Sequence, residues 1–359
     1  HIDGTARFWP LVGTEAVTNT LAVGQLNPDD LDRFDLGREP ERKAFHRSWD
    51  HRHLVNWLDL ASRAQPRRKL AQGRHTDVIW NAVVGYTESL RKDLQPQEVI
   101  AELEQIAGEL ADRGDVSSQV LAALAGGFRR CGDFRTAQRL IQQVLERRDF
   151  STPQLMADWA VLGLGPLGQT PTELLRQWVR IDQPAADDVR WLLDRLAAGE
   201  PIRINAGGEN YDAADGAHWR HDCFFRGGYR FGETLGQPPI ADVVIADTPH
   251  PPLYQTERWF DVGGSAEERG YHIPVPPGRY RVVIHFAEIW HMAPEFRTVA
   301  VVAEGHDGGC RFDSEQTGFA RPATCELVAE VDDGELNLEF KSIRRSPKVS
   351  AFEIFRLKD

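Results

Sequence analysis

The character of the chain changes near Gly199 and Pro201, and this change constrains the fold more than any other feature. From about residue 40 to residue 199, apolar residues recur every three or four positions, which is the period of amphipathic helices. From Pro201 onward, short β-rich runs are separated by glycine and proline, as in a β-sandwich or jelly roll. The sequence therefore predicts a helical domain at residues 40–199 and a β-sandwich domain at residues 200–359.

The composition argues against several classes of function. The net charge is −12, and no long cluster of lysine and arginine is interleaved with aromatic residues, so we do not expect nucleic acid as a partner. No apolar run approaches the ~20 residues that a membrane span needs. Since no phosphate loop, zinc helix or Ser-His-Asp order stands out, we expect neither a cofactor nor a metal.

Residues 1–39 are predicted to be an N-terminal arm or the remnant of an upstream domain. Asp3–Trp9 resembles the last strand of a WD-repeat blade, but there is a single copy and a propeller needs several. The chain begins at His1 without an apolar signal segment, so we expect it to start inside a longer gene product or after a removed leader. The compartment is not fixed, although the lack of a signal segment slightly favours the cytoplasm.

Two apolar stripes flank Gly132 in the helical half. They consist of Leu121, Leu124, Ala125 and Phe128 on one side and of Ala137, Ile141 and Val144 on the other. Residues 117–147 thereby resemble a tetratricopeptide repeat, in which small residues lie where two antiparallel helices touch. We expect a short α-solenoid or an irregular helical bundle, which serves either as a protein-interaction domain or as a spacer.

The segment Phe45–His53 concentrates histidine and aspartate and raises the question of a metal site. Only Asp50 and His53 stand at a helical facing distance, and no glutamate follows at the spacing of a zinc helix. We therefore interpret the segment as a charged helix surface.

The four cysteines show no CxxC spacing and are too few for a disulfide scaffold in a chain of this length. Cys310 and Cys325 fall in the same region. They either pair in an oxidising compartment or remain two small hydrophobic residues.

Six motifs follow one another in the β-rich half: Ile204–Gly208, Asp215–Gly216, Leu253–Arg258, Tyr271–Tyr280, His285–Glu288 and Pro347–Ala351. In this order and spacing they resemble the malectin domain, over about residues 202–357. The resemblance implies a lectin-like carbohydrate-binding β-sandwich that is not an enzyme, with glucose-containing oligosaccharides as candidate ligands. It also implies a bacterial-type multidomain architecture, and we expect this chain to be the C-terminal part of a larger regulatory protein.

The resemblance also assigns sugar-binding residues. The aromatic residue after the Tyr-Gln-Thr-Glu-Arg motif becomes Trp259, and the two aromatic positions after Phe-Ala-Glu-x become Trp290 and His291. In the glycine-rich loop, Tyr229 is the first choice and Phe231 the second. Aromatic rings at these positions suit the apolar C–H faces of sugars.

The sequence departs from the family where an aspartate precedes the C-terminal Pro-Lys. Arg345 stands there, and an arginine donates hydrogen bonds but cannot accept them. The resemblance therefore places Arg345 at the edge of the site and puts the glucose-oligosaccharide specificity in doubt.

Glu257, Arg258 and Glu288 are expected to form a satisfied internal network that braces the sandwich. Glu257 and Glu288 are the carboxylate pair in motif positions, and glycoside hydrolysis needs two carboxylates across a cleft. The adjacent Arg258 can neutralise Glu257, so we expect no catalysis. A scaffold or sensor module remains the alternative, in which Trp259 and Trp290 grip a peptide or the helical domain.

Overall fold

The computed structural model describes residues 39–63, 72–147, 152–178, 187–262, 270–290 and 296–358. By its internal contacts the chain divides into two compact units, His1–Phe150 and Ser151–Asp359. The N-terminal arm with Asp3–Trp9 lies outside the described residues. Within the described part of the chain, no helix combines the length and the apolar character that crossing a membrane requires.

The first unit is helical. Its described helices are α1 (Glu39–Arg63), α2 (Gln72–Arg91), α3 (Pro96–Arg113), α4 (Ser118–Arg130) and α5 (Phe134–Arg147). The predicted stripes of α4 and α5 are buried, and the two helices pack on each other across a turn at Gly132, whose φ is +83°. The helical hairpin is confirmed, while the tetratricopeptide-like character of the wider domain stays a prediction.

His51 corrects the interpretation of Phe45–His53 as a charged surface. Its side chain is buried and joins α1 to α3, with Nδ1 2.6 Å from Glu102 Oε1 and Nε2 3.0 Å from Glu109 Oε1. The sequence could not show this, because the two glutamates lie about fifty residues further along the chain.

The second unit begins with three helices, α6 (Pro153–Leu164), α7 (Pro171–Trp178) and α8 (Asp187–Ala198). A capping box starts α7, because Thr170 N donates to Glu173 Oε2 and Glu173 N donates to Thr170 Oγ1. These helices pack with the β-rich part, and Leu192 belongs to its core. The change from helix to strand near residue 200 therefore differs from the division between compact units at residue 150. The predicted domain boundary stays a prediction.

The described strands are β1 (Ile202–Asn205), β2 (Tyr211–Asp212), β3 (His218–Trp219), β4 (Phe225–Arg226), β5 (Tyr229–Arg230), β6 (Arg258–Trp259), β7 (Gly270–Pro274), β8 (Gly278–Ala287), β9 (Thr298–Ala303), β10 (His306–Asp313), β11 (Pro322–Val331), β12 (Glu335–Arg344), β13 (Lys348–Val349) and β14 (Ala351–Arg356). Two one-turn helices are α9 (Pro251–Tyr254) and α10 (Ser314–Thr317).

The strands form two larger sheets around one apolar core. The first has the order β1-β14-β8-β11 and the second the order β10-β9-β12-β7-β4, with antiparallel pairing throughout. Alternate residues of β8 and β11 are buried, as expected when one face of each strand meets the core. The predicted architecture, helices followed by a malectin-like β-sandwich, is confirmed.

The turn-forming sequence Pro276–Gly278 predicts a hairpin that pairs the strands on either side of it, and this prediction is wrong. β7 pairs with β12 and β4, whereas β8 pairs with β11 and β14, so the turn carries the chain from one sheet to the other. Tyr280 Oη donates to the Pro276 carbonyl oxygen at 2.6 Å and fixes this corner. Turn-forming residues indicate that the chain reverses, but they do not indicate which sheet it joins next.

The sequence also predicts strands at residues 241–246 and 254–258, and the structure lacks the first and shortens the second. Residues 241–246 form no strand, and Val244 is 90% exposed. Tyr254 ends α9, because Pro251 and Pro252 favour a helical first turn, so the strand is reduced to Arg258–Trp259.

Cys310 and Cys325 form a disulfide, which settles the alternative that the sequence left open. The bond joins β10, at the edge of one sheet, to β11, at the edge of the other. It therefore closes one side of the sandwich covalently.

Candidate functional site

A small third sheet carries two of the predicted sugar-binding residues, Tyr229 and Trp259. Its order is β13-β6-β5, with Lys348 opposite Trp259 and Trp259 opposite Tyr229. Directly opposed residues of an antiparallel pair project to the same face. Trp259 therefore lies between Tyr229 on one side and Lys348 on the other.

Tyr229 and Trp259 form an aromatic pair. Their ring centroids are 4.8 Å apart with an interplanar angle of 33°, and both side chains are partly exposed. Gly228 makes this pairing possible, since a Cβ there would lie 2.6 Å from the Trp259 carbonyl oxygen and its φ is +70°.

Phe231 and Trp290 form a second pair beside the first. Phe231 N donates to the Glu257 carbonyl oxygen at 3.1 Å, which continues the ladder and puts Phe231 on the face that Tyr229 occupies. The Phe231 and Trp290 rings meet edge to face at 5.4 Å. Phe231 is buried, while Trp290 is 44% exposed. We call Trp259, Tyr229, Phe231 and Trp290 the aromatic row.

A buried charge network lies beside the aromatic row. Lys348 Nζ is 2.5 Å from Glu257 Oε2 and 3.6 Å from Glu288 Oε1. Arg297 Nε is 2.8 Å from Glu288 Oε2, and all four side chains are at most 4% exposed. Two cations balance two carboxylates, as burial of charged groups requires.

The network also holds the loops that carry the row. Trp290 N donates to Glu288 Oε1 at 3.0 Å, and Arg297 Nη1 donates to the Ser346 carbonyl oxygen. Glu257 stands two residues before Trp259 in the chain. Lys348 lies opposite Trp259 in the neighbouring strand β13. One polar cluster thus fixes the surroundings of both tryptophans.

Arg258 points away from the aromatic row into a second polar cluster. Its guanidinium lies 2.7 Å from Asp222 Oδ2, which is fully buried, and Tyr271 Oη donates to Asp222 Oδ1 at 2.7 Å. Burial, with the Asp222 carboxylate, raises the pKa of Tyr271 well above its ordinary value. These contacts are consistent with the predicted scaffold role of Glu257, Arg258 and Glu288. The expectation that Arg258 neutralises Glu257 is wrong, because strand neighbours project to opposite faces and Lys348 pairs with Glu257 instead.

The predicted site residues differ in how far they are exposed to solvent. Tyr229, Trp259 and Trp290 reach the surface, whereas Phe231 supports Trp290 from below. Arg345 lies on the exposed turn between β12 and β13. His291 lies outside the described residues.

Sequence reasoning missed two network members. Arg297 stands in no motif. Lys348 belongs to the motif Pro347–Ala351, but the motif alone does not predict that it forms a buried ion pair. The signal that could have identified Lys348 is a lysine flanked by apolar residues in a β-rich segment, since a buried lysine needs a carboxylate partner. Among the described residues, no three histidine, cysteine or acidic side chains stand close enough to hold a metal ion.

Together, the sandwich and the aromatic row define a β-sandwich domain with a candidate binding surface. Residues 201–352 match the family model of the malectin domain, so this part of the chain is a malectin domain. The chain is 26% identical to Malectin-B of Xenopus laevis over 144 residues, which cover 40% of this chain and 45% of that protein. The chain therefore spans less than half of that relative. A malectin domain supports a carbohydrate-binding module that is not an enzyme.

Solved structures give only distant likenesses. The chain is similar to a β-glucuronidase of Bacteroides uniformis at 17% identity and a TM-score of 0.38, over 46% of this chain and 19% of that one. It is similar to the ANX2 ectodomain of Arabidopsis thaliana at 16% identity and a TM-score of 0.35, over 44% and 50%. Likenesses this distant support no conclusion about this chain.

Proposed function

We propose that this chain binds carbohydrate at the aromatic row, with Trp259, Tyr229 and Trp290 as the stacking surface. The observation that carries the proposal is the pairing of Trp259 with Tyr229 at 4.8 Å beside the exposed Trp290, all within a malectin domain. Sugar rings present apolar C–H faces that lie flat on such rings. A buried charge network that orders the loops reduces the entropy lost on binding.

The proposal includes the absence of catalysis at this site. Glycoside hydrolysis requires one carboxylic acid and one carboxylate that reach the substrate. Glu257 and Glu288 are both buried and share Lys348, so neither faces the row as a proton donor or nucleophile. Incubation of the bound oligosaccharide with the protein should leave its mass unchanged.

A glycan array followed by calorimetry tests the binding proposal. Trp259→Ala and Trp290→Ala should each weaken binding by about tenfold to a hundredfold, because each removes an aromatic surface that the bound sugar would cover. Phe355→Ala is the matched control, since Phe355 is a partly exposed aromatic residue on β14 of the four-stranded sheet. A folded protein that binds no glycan, or tryptophan variants that bind as tightly as the control, would contradict the proposal.

A second candidate function concerns the helical unit, as a binding site for a partner polypeptide. The observation that favours it is a groove of about 420 Å³ lined by residues of α3, α4 and α5. Gly108 lies in this groove, and a Cβ there would meet open space.

Peptides selected from a display library against the whole chain test this candidate. Gly108→Trp should block their binding by filling the groove. Gly85→Trp is the control, because Gly85 is an exposed glycine of α2 that likewise faces open space. Equal binding by both variants would exclude the groove.

A further inference from the structure

The aromatic row has no hydrogen-bond acceptor in the charge network beside it. Glu257 and Glu288 are buried and already bonded to Lys348 and Arg297. Recognition of a sugar hydroxyl is completed by an acceptor for its proton as well as a donor to its oxygen. A carboxylate that serves a sugar must therefore come from outside the network.

The turn that carries Arg345 lies beside the aromatic row, and three of its consecutive carbonyl oxygens accept hydrogen bonds. Ser342 Oγ donates to Arg345 O at 2.5 Å, Arg297 Nη1 donates to Ser346 O, and Phe260 N donates to Pro347 O at 2.9 Å. Arg345 has a φ of +67°, which is costly for a residue with a side chain. The surrounding contacts thus fix the point from which this exposed guanidinium projects.

Asp261 stands two residues beyond Trp259, at which β6 ends. Phe260 is fully buried, so the alternation of an extended chain puts Asp261 on the face of Trp259. The bond from Phe260 N to Pro347 O brings Asp261 next to the turn that carries Arg345. Asp261 is exposed, and no motif of the sequence singled it out.

We infer that Asp261 and Arg345 form the polar edge of the site, Asp261 accepting from one hydroxyl of a saccharide and Arg345 donating to a neighbouring one. This inference rests on the proposed function of the aromatic row. The ligand class is a neutral pyranose with two adjacent free hydroxyls. An arginine without Asp261 would favour uronic acids or sulfated sugars, which the carboxylate repels. The neighbouring Arg344 does not add a net positive charge to this edge, because its guanidinium lies 3.5 Å from the carboxylate of Glu315.

The experiment uses the whole chain on a panel of neutral, uronic acid and sulfated oligosaccharides, followed by calorimetry with the tightest neutral binder. Asp261→Asn and Arg345→Met should each weaken that binding by about tenfold, the effect of a charged hydrogen bond. Asp261→Asn should also increase binding of uronic acids. Asp332→Asn is the control and should change nothing, because Asp332 precedes β12 at the end about 30 Å from Arg344.

The outcomes separate this inference from the function on which it rests. If Trp259→Ala abolishes binding but either Asp261→Asn or Arg345→Met leaves it unchanged, the polar edge is wrong and the stacking surface stands. Tighter binding of uronic acids than of neutral sugars by the unaltered chain also overturns the polar edge. If the unaltered chain binds no member of the panel, both proposals fail.

Discussion

Lys348 Nζ lies 2.5 Å from Glu257 Oε2 and 3.6 Å from Glu288 Oε1, with all three side chains at most 3% exposed. One ammonium group thus joins two carboxylates from distant parts of the chain, beside Trp259 and Trp290. The polar residues of the malectin motifs hold the candidate site in place, while Trp259 and Trp290 next to them reach the surface.

Replacement of Lys348 should be severely destabilising. Lys348→Met leaves Glu257 and Glu288 buried with one cation fewer, and breaking a buried ion pair costs about 3–5 kcal/mol of unfolding free energy. Lys341→Met is the control, because Lys341 is an exposed lysine 3.3 Å from Glu339 and should cost less than about 1 kcal/mol. Denaturant titration measures both, and a loss for Lys348→Met as small as the one expected for Lys341→Met would show that the network contributes little stability.

Gly228 should be required for the geometry of the aromatic row. Gly228→Ala adds a Cβ 2.6 Å from the Trp259 carbonyl oxygen, so β5 and β6 must separate and glycan binding should fall. Gly236→Ala is the matched control, since Gly236 also has a positive φ, +65°, but faces open space. Both variants should lose about 1 kcal/mol from backbone strain. If calorimetry finds the same affinity for both, the close approach at Gly228 does not position the row.

The pH dependence of stability should include a contribution from Glu304. Burial raises the pKa of Glu304 to about 7, while the unfolded chain titrates near the ordinary value of 4.5. Between these values the folded state binds more protons, so this contribution to the unfolding free energy falls as pH rises from about 4.5 to about 7.

Glu304→Gln should remove that dependence and retain an acceptor for Asn337 N, which donates to Glu304 Oε1 at 2.6 Å. The stability of this variant relative to the unaltered chain should therefore increase between pH 5 and pH 7.5. Glu326→Gln, at an exposed position of β11, should show no such trend. A relative stability that is flat or decreasing with pH would contradict the assignment.

The disulfide between Cys310 and Cys325 should stabilise the sandwich. It closes a loop with a sequence separation of 15, for which chain entropy gives about 3 kcal/mol. Reductant should lower the unfolding free energy of the unaltered chain and leave the double variant Cys310→Ala/Cys325→Ala unaffected. Thiol titration in denaturant should find two reactive cysteines, Cys131 and Cys223, and four would mean that the bond does not form.

The sequence was sufficient to predict the sandwich, while the sugar-binding role of the aromatic residues stays a prediction. The motifs around Trp259 and Trp290 place these residues directly after strand-forming segments, and the structure pairs each with a second ring. That Glu257 and Arg258 project to opposite sides also follows from strand alternation, since they are neighbours in the chain.

Long-range partners could not be predicted. Pro276–Gly278 indicates a reversal, but the sheet that β8 joins depends on β11 and β14, which come later in the chain. Arg297 contacts Glu288, which stands nine residues earlier in the chain, and no motif relates the two residues. The pattern of a single sequence predicts the local structure of each segment, but it does not predict which other segment packs against it.

Chemical shifts of the tryptophan side chains test the central claim most directly. The chain has 10 tryptophans, so 15N labelling of the indole groups gives a short spectrum that Trp259→Phe and Trp290→Phe assign. Titration with a bound oligosaccharide should shift the signals of Trp259 and Trp290 and leave those of Trp80 and Trp191, on α2 and α8, in place. Shifts confined to other tryptophans would contradict a saccharide site at the aromatic row.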